Sequence, residues 1–268
     1  MNKNLNSDCK NCFGLCCVAL PYGKSADFPF DKDGGVPCQN LCSNNLCSIH
    51  DTLREKGFRG CVSYECFGAG QHVSQTIYHG KEWRENAQHA DEMFAVFPLV
   101  HQLHEILWYL QQTLTLKETE SFHDSLQKMF EETVELTEKN PKEILELDIT
   151  AHRNKVNKLL INSSKAYRAD IVIKRKKNRI QKNSDYIGAN LRGLNLQGED
   201  LRGKLMIASD LRQSDLRKAD LIGADLRDAD LRGANLATVL FLTQSQINSA
   251  VGDAHTKIPS NLTKPSHW

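Results

Sequence analysis

A large apolar residue occupies every fifth position between residues 184 and 243. This spacing fits neither the 3.6-residue period of an α-helix nor the two-residue alternation of a strand. The apolar side chains share one side only if the chain turns a corner after each unit, so that four units close one square turn. The sequence therefore predicts a coil whose axis is filled by these twelve residues: Tyr186, Leu191, Leu196, Leu201, Met206, Leu211, Leu216, Leu221, Leu226, Leu231, Leu236 and Phe241.

The unit itself reads A-D/N-L-R-G, as in the run ADLIGADLRDADLRGANL, and it resembles the pentapeptide-repeat family. The resemblance implies a right-handed quadrilateral β-helix of about three coils, which at a spacing of about 4.8 Å would be about 14 Å tall. Asp, Asn and Arg then point outward. The alanines two positions before the centres point inward with the leucines, where nothing larger fits: Ala189, Ala219, Ala224, Ala229 and Ala234.

The repeat register ends after Phe241, and the chain that follows predicts a cap. Thr243 is a typical N-cap for a short helix that carries Ile247 and Val251. Beyond it a tail with two prolines is expected to fold over the open end of the coil, because a solenoid needs both ends covered. The apolar residues of this tail are Ile258, Leu262 and Trp268.

The middle of the chain predicts three amphipathic helices joined by short loops, a pattern typical of a small helical bundle. Pro98 is expected in the first turn of the first helix or at a kink, and Asn140-Pro141 should cap the third. The three apolar stripes are Met93, Phe97, Val100, Leu103, Leu107, Leu110 and Leu114; then Phe122, Leu126, Met129, Phe130 and Val134; then Leu145, Ile149, Val156, Leu159 and Leu160.

These patterns together predict a multidomain α+β protein. Its five segments are a cysteine-rich metal-binding domain at 1–80, a helical bundle at 86–165, a basic linker or helix at 166–183, the repeat at 184–243 and a C-terminal cap at 244–268. Six of the nine residues at 174–182 are positively charged. A solvated linker is the favoured interpretation of that run.

The chain has 268 residues and a net charge of +1, so no global field favours DNA or a membrane surface. Its first residues lack the apolar core of a secretory signal. The longest apolar run, residues 93–100, is too short to span a bilayer. A soluble cytoplasmic protein is therefore expected.

All nine cysteines lie before residue 67, at loop-type spacings. In a reducing compartment such a cluster favours a metal site over disulfides. The adjacent pair Cys16 and Cys17 either serves two ions or includes one packing residue. His50 and His72 lie near the cluster and are candidates to replace one ligand. The predicted metal ligands are Cys9, Cys12, Cys16, Cys17, Cys38, Cys42, Cys47, Cys61 and Cys66.

Three pieces of this region, CKNCFGLCC, CQNLCSNNLCSIHDTLREKGFRGC and the closing YEC, resemble the putative zinc- or iron-chelating CxxCxxCC family. The segment between Cys47 and Cys61 is longer than the family's equivalent and lacks its proline. Zinc is the expected metal, with an iron–sulfur cluster as the alternative, since thiolate sites suit both. A structural staple is favoured over a reactive centre.

Two further groups of residues could carry chemistry. His101 and His104, with Glu105, are about one helical turn apart in HQLHE, and Asp148 and His152 stand at i and i+4 with Arg153 beside them. The histidine pair could share a metal, but its order matches no known zincin motif, so a boundary role is favoured. Asp148 and His152 could pair and, with Arg153, bind an anion; no nucleophile accompanies them, so a surface role is favoured.

The favoured function is a non-enzymatic interaction or scaffold module with an unidentified protein partner and no nucleic-acid or membrane partner. One alternative is an enzyme acting at the metal, although the chain has no phosphate-binding loop and no nucleophile motif. The other is a DNA mimic that protects topoisomerases, as some pentapeptide-repeat proteins do. Acidic and basic residues nearly balance in the short repeat, which disfavours that mimic.

Overall fold

The computed structural model describes residues 4–85, 87–174 and 185–268, with the side chains of 172–174 left out. Two compact units divide the chain, Met1–Leu160 and Ile161–Trp268. The five-segment division stays a prediction. Most of the basic run at 174–182 lies outside the described residues.

The first part of the first unit is built from short elements and turns. Its α-helices are α1 (Leu15–Ala19), α2 (Arg59–Val62) and α3 (Ala69–Gln71). Two isolated antiparallel bridges, Tyr22 with Lys32 and Leu41 with Cys47, join its loops. Elements this short bury little apolar surface and need support from other contacts. The remaining short helices are the 3₁₀-helices Cys9–Asn11, His50–Thr52 and Trp83–Glu85, and the π-helix His72–Ile77.

The central helix of the first unit is α4 (Ala87–Leu114), and it confirms the first predicted stripe. Met93, Phe97, Val100 and Leu103 are all fully buried on one face. Pro98 lies well inside the helix rather than in its first turn. A proline there removes one backbone hydrogen bond, and the surrounding packing keeps the helix continuous.

The next helices are α5 (His123–Thr137), α6 (Pro141–Leu145) and α7 (Ile149–Lys174), after the 3₁₀-helix Lys117–Phe122. Both α5 and α6 pack against α4. Asn140 forms the predicted cap, with its side chain and that of Glu143 capping each other reciprocally. The third predicted helix is interrupted, because Asp148 accepts a bond from the backbone of Ala151 and starts a new helix.

In the second unit, the repeat forms stacked turns joined by parallel bridges one residue long. The bridges connect positions 20 apart, such as Asn190 with Asp210 and Asp210 with Asp230. Each turn donates backbone bonds to the next, as from Leu191 N to Asp210 O at 2.8 Å. All twelve predicted centres are buried.

The predicted α+β class with a right-handed quadrilateral β-helix is wrong. The described residues contain no β-strand, and their regular secondary structure is helical. The reason is the five-residue period of the repeat. In most units a single bridging residue is followed by a turn, so each side of the coil has too few extended residues to form a strand. We call residues 185–243 the repeat coil.

Part of α7 covers the repeat coil within the second unit. Arg168 is buried and donates to Ser164 Oγ at 3.0 Å and to Gly198 O at 3.1 Å. Tyr167 donates its hydroxyl to Thr238 O at 3.0 Å. Asp220, an acidic residue of the repeat, is fully buried and accepts a hydrogen bond from Ile222 N at 3.0 Å.

The far end of the coil carries the expected cap helix, α8 (Gln244–Ser249). Thr243 and Gln246 form a capping box at its start. Trp268 donates its ring N–H to Ala250 O at 3.2 Å, and its ring lies where a side chain at Gly252 would stand. Within the described part of the chain, no helix is long and apolar enough to cross a membrane.

Leu216→Asp tests the buried axis of the repeat coil. Leu216 is 1% exposed, so the new carboxylate would be buried without a partner. We expect the free energy of unfolding of the second unit to fall by more than about 3 kcal/mol. Chemical denaturation followed by circular dichroism measures this.

Arg217→Ala is the matched control for that substitution. Arg217 is half exposed and pairs with Asp215 at the surface, so its loss should cost less than about 1 kcal/mol. Equal losses for the two variants would mean that the central leucine is not the buried position.

Asp220→Asn tests the buried carboxyl under α7. Burial raises the pKa of Asp220, although Ser164, Ile222 N and Arg202 partly oppose this. A carboxyl with a raised folded pKa loses stability as pH rises from its unfolded value through the folded one. Since asparagine carries no charge, we expect the variant to unfold at a higher temperature than the parent near pH 7.

The same variant should show a smaller difference from the parent near pH 3, where Asp220 is protonated in both the folded and the unfolded chain. Melting temperatures across pH 3–8 measure both effects. A parent more stable than the variant at neutral pH would show that the contact with Arg202 outweighs burial.

Candidate metal centre in the cysteine-rich region

The nine cysteines lie within the first unit as free thiols. Cys38 is buried, Cys9 is exposed, and the others are partly buried. No disulfide links any of them, so the short elements of this region are not cross-linked by sulfur–sulfur bonds.

Helix α1 places the adjacent cysteines at the centre of the region. Gly14 precedes it with φ of +70°, a left-handed conformation that favours glycine, and a side chain there would meet Leu41. This turn brings Cys16 and Cys17 between two groups of thiols, with their own sulfurs 3.9 Å apart.

The first group of thiols packs beside α3 and α4. The point where a β-carbon of Gly70 would stand is 2.7 Å from Cys12 Sγ and 3.8 Å from Cys66 Sγ. Both sulfurs therefore approach one small volume that glycine leaves open. Cys12, Cys16 and Cys66 all pack against one apolar core, which includes Leu15, Val73 and Met93.

The second group packs on a separate apolar core formed by Leu53, Phe58 and Cys38. Cys17, Cys47 and Cys61 contact this core. The backbone N–H of Cys38 donates to Cys17 O at 2.9 Å. Tyr22 donates its hydroxyl to Cys38 Sγ at 3.4 Å, and its ring stacks on Phe28.

Most thiols whose ionisation is perturbed are held in the neutral form. Cys9 keeps much of its surface exposed, yet partial desolvation of its thiol raises its pKa to about 11. Burial raises the pKa of Cys61 to about 12, and neighbouring thiols add to both shifts. Burial also raises the pKa of Cys12 and Cys47. Gathered thiolates repel one another, so only a cation among them would favour their ionised form.

The adjacent thiols of Cys16 and Cys17 differ in pKa. The two thiols share a hydrogen bond at 3.9 Å, which raises the pKa of Cys16 and lowers that of Cys17. Lys32 assists, because its positive charge also favours the Cys17 thiolate. Cys17 is therefore the thiol of this pair that ionises first.

Lys32 is a buried cation beside the second group. It is 6% exposed and donates to three backbone carbonyls, those of Val18, Asp33 and Val36, at 2.9–3.1 Å. Burial lowers its pKa, while the nearby thiols Cys38 and Cys17 oppose that shift. It joins the end of α1 to the loop around Asp33 and Val36, and it supplies positive charge to the nearby sulfurs.

Among the described residues, no three cysteine, histidine, aspartate or glutamate side chains are arranged to hold a metal ion as they stand. The thiols of each group would have to rotate toward a common point. The chemistry of the donors fits zinc or an iron–sulfur cluster, since both take thiolate sulfur.

The two histidines of HQLHE contact the loop that carries Cys66. His101 Nε2 lies 2.8 Å from Glu65 O, and His104 Nδ1 lies 2.8 Å from Phe67 O. These carbonyls stand on either side of Cys66, so α4 holds this cysteine loop in place. Sequence reasoning missed this role, because the partners are backbone atoms far away in the chain.

The other candidate histidines have different partners. His72 Nε2 lies 2.8 Å from Thr137 O, and His50 is exposed beside Asp51. His152 does not face Asp148: its Nε2 lies 2.9 Å from Thr133 Oγ1. In addition, Arg153 contacts Glu105 at 3.5 Å, which brings together one residue from each predicted group.

Residues 206–239 match the family described as pentapeptide repeats, in eight copies. Over 265 residues the chain is 58% identical to "Uncharacterized protein YybG" of Bacillus subtilis (strain 168), covering 99% of this chain and 95% of that protein. The chain belongs to the YybG family of pentapeptide-repeat proteins. The resemblance of residues 9–66 to the CxxCxxCC family stays a prediction.

Two crystal structures of pentapeptide-repeat proteins overlap short parts of the chain. Rfr23 from the cyanobacterium Cyanothece 51142 has a TM-score of 0.26 and 30% identity, over 28% of this chain and 52% of that one. The protein alr5209 from Nostoc Pcc 7120 has a TM-score of 0.12 and 29% identity, over 30% and 78%. Each overlap covers less than a third of this YybG-family chain.

Lys32→Met tests whether the buried cation supports the cysteine region. The substitution keeps an unbranched side chain and removes the lysine's bonds to three carbonyls. Those of Val18 and Asp33 keep a backbone donor, and that of Val36 loses the donor that Lys32 supplied. We expect the free energy of unfolding of the first unit to fall by about 2–4 kcal/mol. Denaturant unfolding followed by tryptophan fluorescence, through Trp83 and Trp108, measures it.

Lys24→Met is the control, because Lys24 is exposed and such a site should change stability by less than about 0.5 kcal/mol. If both variants unfold at the same denaturant concentration as the parent, Lys32 does not hold the loops together.

Proposed function

We propose that this YybG-family chain is a metal-binding interaction protein. Its cysteine-rich region takes up zinc as a structural staple, and its repeat coil offers a surface to a protein partner. The single observation that carries the proposal is the gathering of nine undisulfided thiols, most of them partly buried, within 58 residues.

The physical support comes from the size of the apolar cores. The second thiol group has only three buried apolar residues at its centre, one of which is Cys38 itself. A segment this short needs a further source of stability, and folding coupled to metal binding supplies one. When bound, zinc would cross-link loops that are far apart in the chain.

The support for a protein partner lies on the outside of the repeat coil. Each of several outward aspartates accepts hydrogen bonds from the arginine two residues later, as Asp225 does from Arg227. These pairs neutralise each other and leave no acidic stripe along their positions. The other pairs of this kind are Asp200–Arg202, Asp210–Arg212, Asp215–Arg217 and Asp230–Arg232.

Such a surface is poorly suited to imitating DNA, which carries about one negative charge per 1.7 Å of its axis. The arginine contact also lowers the pKa of Asp210 to about 2, so the pair stays ionised over the physiological range. Stacked repeats create extended, regular surfaces, and repeat proteins use such surfaces for binding.

Metal content tests the proposal most simply. We expect protein purified without chelators and without oxygen to contain stoichiometric zinc and to be colourless. Elemental analysis with a visible absorption spectrum measures both, and protein unfolded and refolded with a chelator serves as the metal-free control. Folded, monodisperse protein with no bound metal would overturn the proposal, and iron with sulfide would favour the enzyme alternative instead.

A further inference from the structure

We propose that the cysteines form two separate four-thiolate zinc centres and that the ninth cysteine is not a ligand. This inference rests on the proposed metal binding and adds the division of ligands. The first centre is Cys9, Cys12, Cys16 and Cys66; the second is Cys17, Cys38, Cys47 and Cys61; the remaining cysteine is Cys42.

The first support is packing against two different apolar cores. Cys12, Cys16 and Cys66 contact the core that includes Leu15 and Val73. Cys17, Cys38, Cys47 and Cys61 belong to the core of Leu53 and Phe58. Among the described residues no cysteine contacts both cores, and Cys9 and Cys42 contact neither.

Direct contacts support the first centre. Cys12 and Cys66 sulfurs both approach the space left open at Gly70. Cys9 joins them through a tight turn, in which Cys12 N donates to Cys9 O. Cys16 packs against the same apolar core as Cys12 and Cys66.

The second centre has its own contacts. Backbone bonding joins Cys38 to Cys17, and Cys47 and Cys61 pack against the same core. Lys32 lies over the ring of Tyr22, whose hydroxyl donates to Cys38 Sγ, so a positive charge stands beside this group. Four thiolates around one zinc ion leave a net charge of −2, which a buried lysine stabilises.

The adjacent residues Cys16 and Cys17 explain why the ligands divide between two centres. Neighbouring residues in a helix are about 100° apart around its axis, so their side chains diverge. Cys16 turns to the core beside α4 and Cys17 to the core of Phe58, although their sulfurs remain in contact at 3.9 Å. One sulfur of the pair then serves each ion.

The remaining thiol, Cys42, stands apart from both groups. Its backbone N–H donates to Leu46 O at 2.9 Å, which closes a loop tip. Among the described residues it packs against neither apolar core and shares no backbone hydrogen bond with another cysteine. The division therefore leaves it outside both centres.

Zinc stoichiometry in single-cysteine variants of the full chain tests this division. We expect two zinc ions per chain in the parent, one in Cys12→Ser, one in Cys61→Ser and two in Cys42→Ser. Elemental analysis gives the count. Replacing zinc with Co²⁺ gives thiolate-to-cobalt absorption, which should fall by about half in each of the first two variants and stay unchanged in the third.

Gly70→Ala avoids removing a ligand and tests the first centre in a chain that keeps all nine thiols. The new methyl group would stand 2.7 Å from Cys12 Sγ and displace it. We expect one of the two zinc ions to bind at least tenfold more weakly in competition with a chromophoric chelator. Gly23→Ala is the control, because the nearest atom to its new methyl group is 3.7 Å away, and both ions should keep their affinity.

The outcomes separate this inference from the proposed function. A chain without metal overturns both. One zinc ion per chain, a single four-iron cluster, or loss of zinc in Cys42→Ser overturns only the division into two centres. Parallel weakening of both ions in Gly70→Ala would also contradict it, because the two sites would then be one.

Discussion

The fold of the first eighty residues depends on how several thiols occupy a small volume without repelling one another. Neutral thiols can pack there without mutual repulsion. A thiolate would be stabilised in the same place only by a nearby cation. Desolvation raises the pKa of both Cys9 and Cys61, and the buried cation Lys32 lies beside the second group of thiols. A metal ion bound by ionised thiols would make their close approach favourable and would stabilise the folded region.

Secondary structure elsewhere in the first unit is organised around this region. Helix α4 has one face in the apolar core that Cys12, Cys16 and Cys66 contact. His101 and His104 on the same helix hold the carbonyls on both sides of Cys66. The helix thus serves both as a core element and as the support of a ligand loop. Support of this kind orients metal ligands more precisely than loops can by themselves.

The sequence alone predicted the buried positions of the repeat and two of the helix caps. The five-residue spacing identified all twelve buried centres, and Thr243 and Asn140 were recognised as caps from residue type and position. The sequence did not predict that the coils are joined by single-residue bridges and not by strands. The five-residue spacing specifies where the chain turns, but it does not specify how many residues pair between two turns. The interruption of the third helix had a readable signal in Asp148, an N-cap residue three positions before Ala151.

Contacts between distant parts of the chain could not be predicted in this way. Asp220 has the same position in its unit as the outward aspartates, and it is buried only because α7 covers it. Likewise, spacing alone left the partners of Cys16 and Cys17 open, since the residues that separate them, Val73 and Phe58, are more than 40 positions away. Such assignments depend on tertiary packing.

The most direct test of two four-thiolate centres is X-ray absorption at the zinc edge of the native protein. The account predicts a first shell of four sulfurs per zinc at about 2.3 Å, with no nitrogen or oxygen ligand. A shell that mixes sulfur with nitrogen or oxygen would show that a histidine, a carboxylate or water completes the site, and would contradict the assignment of eight cysteines to two ions.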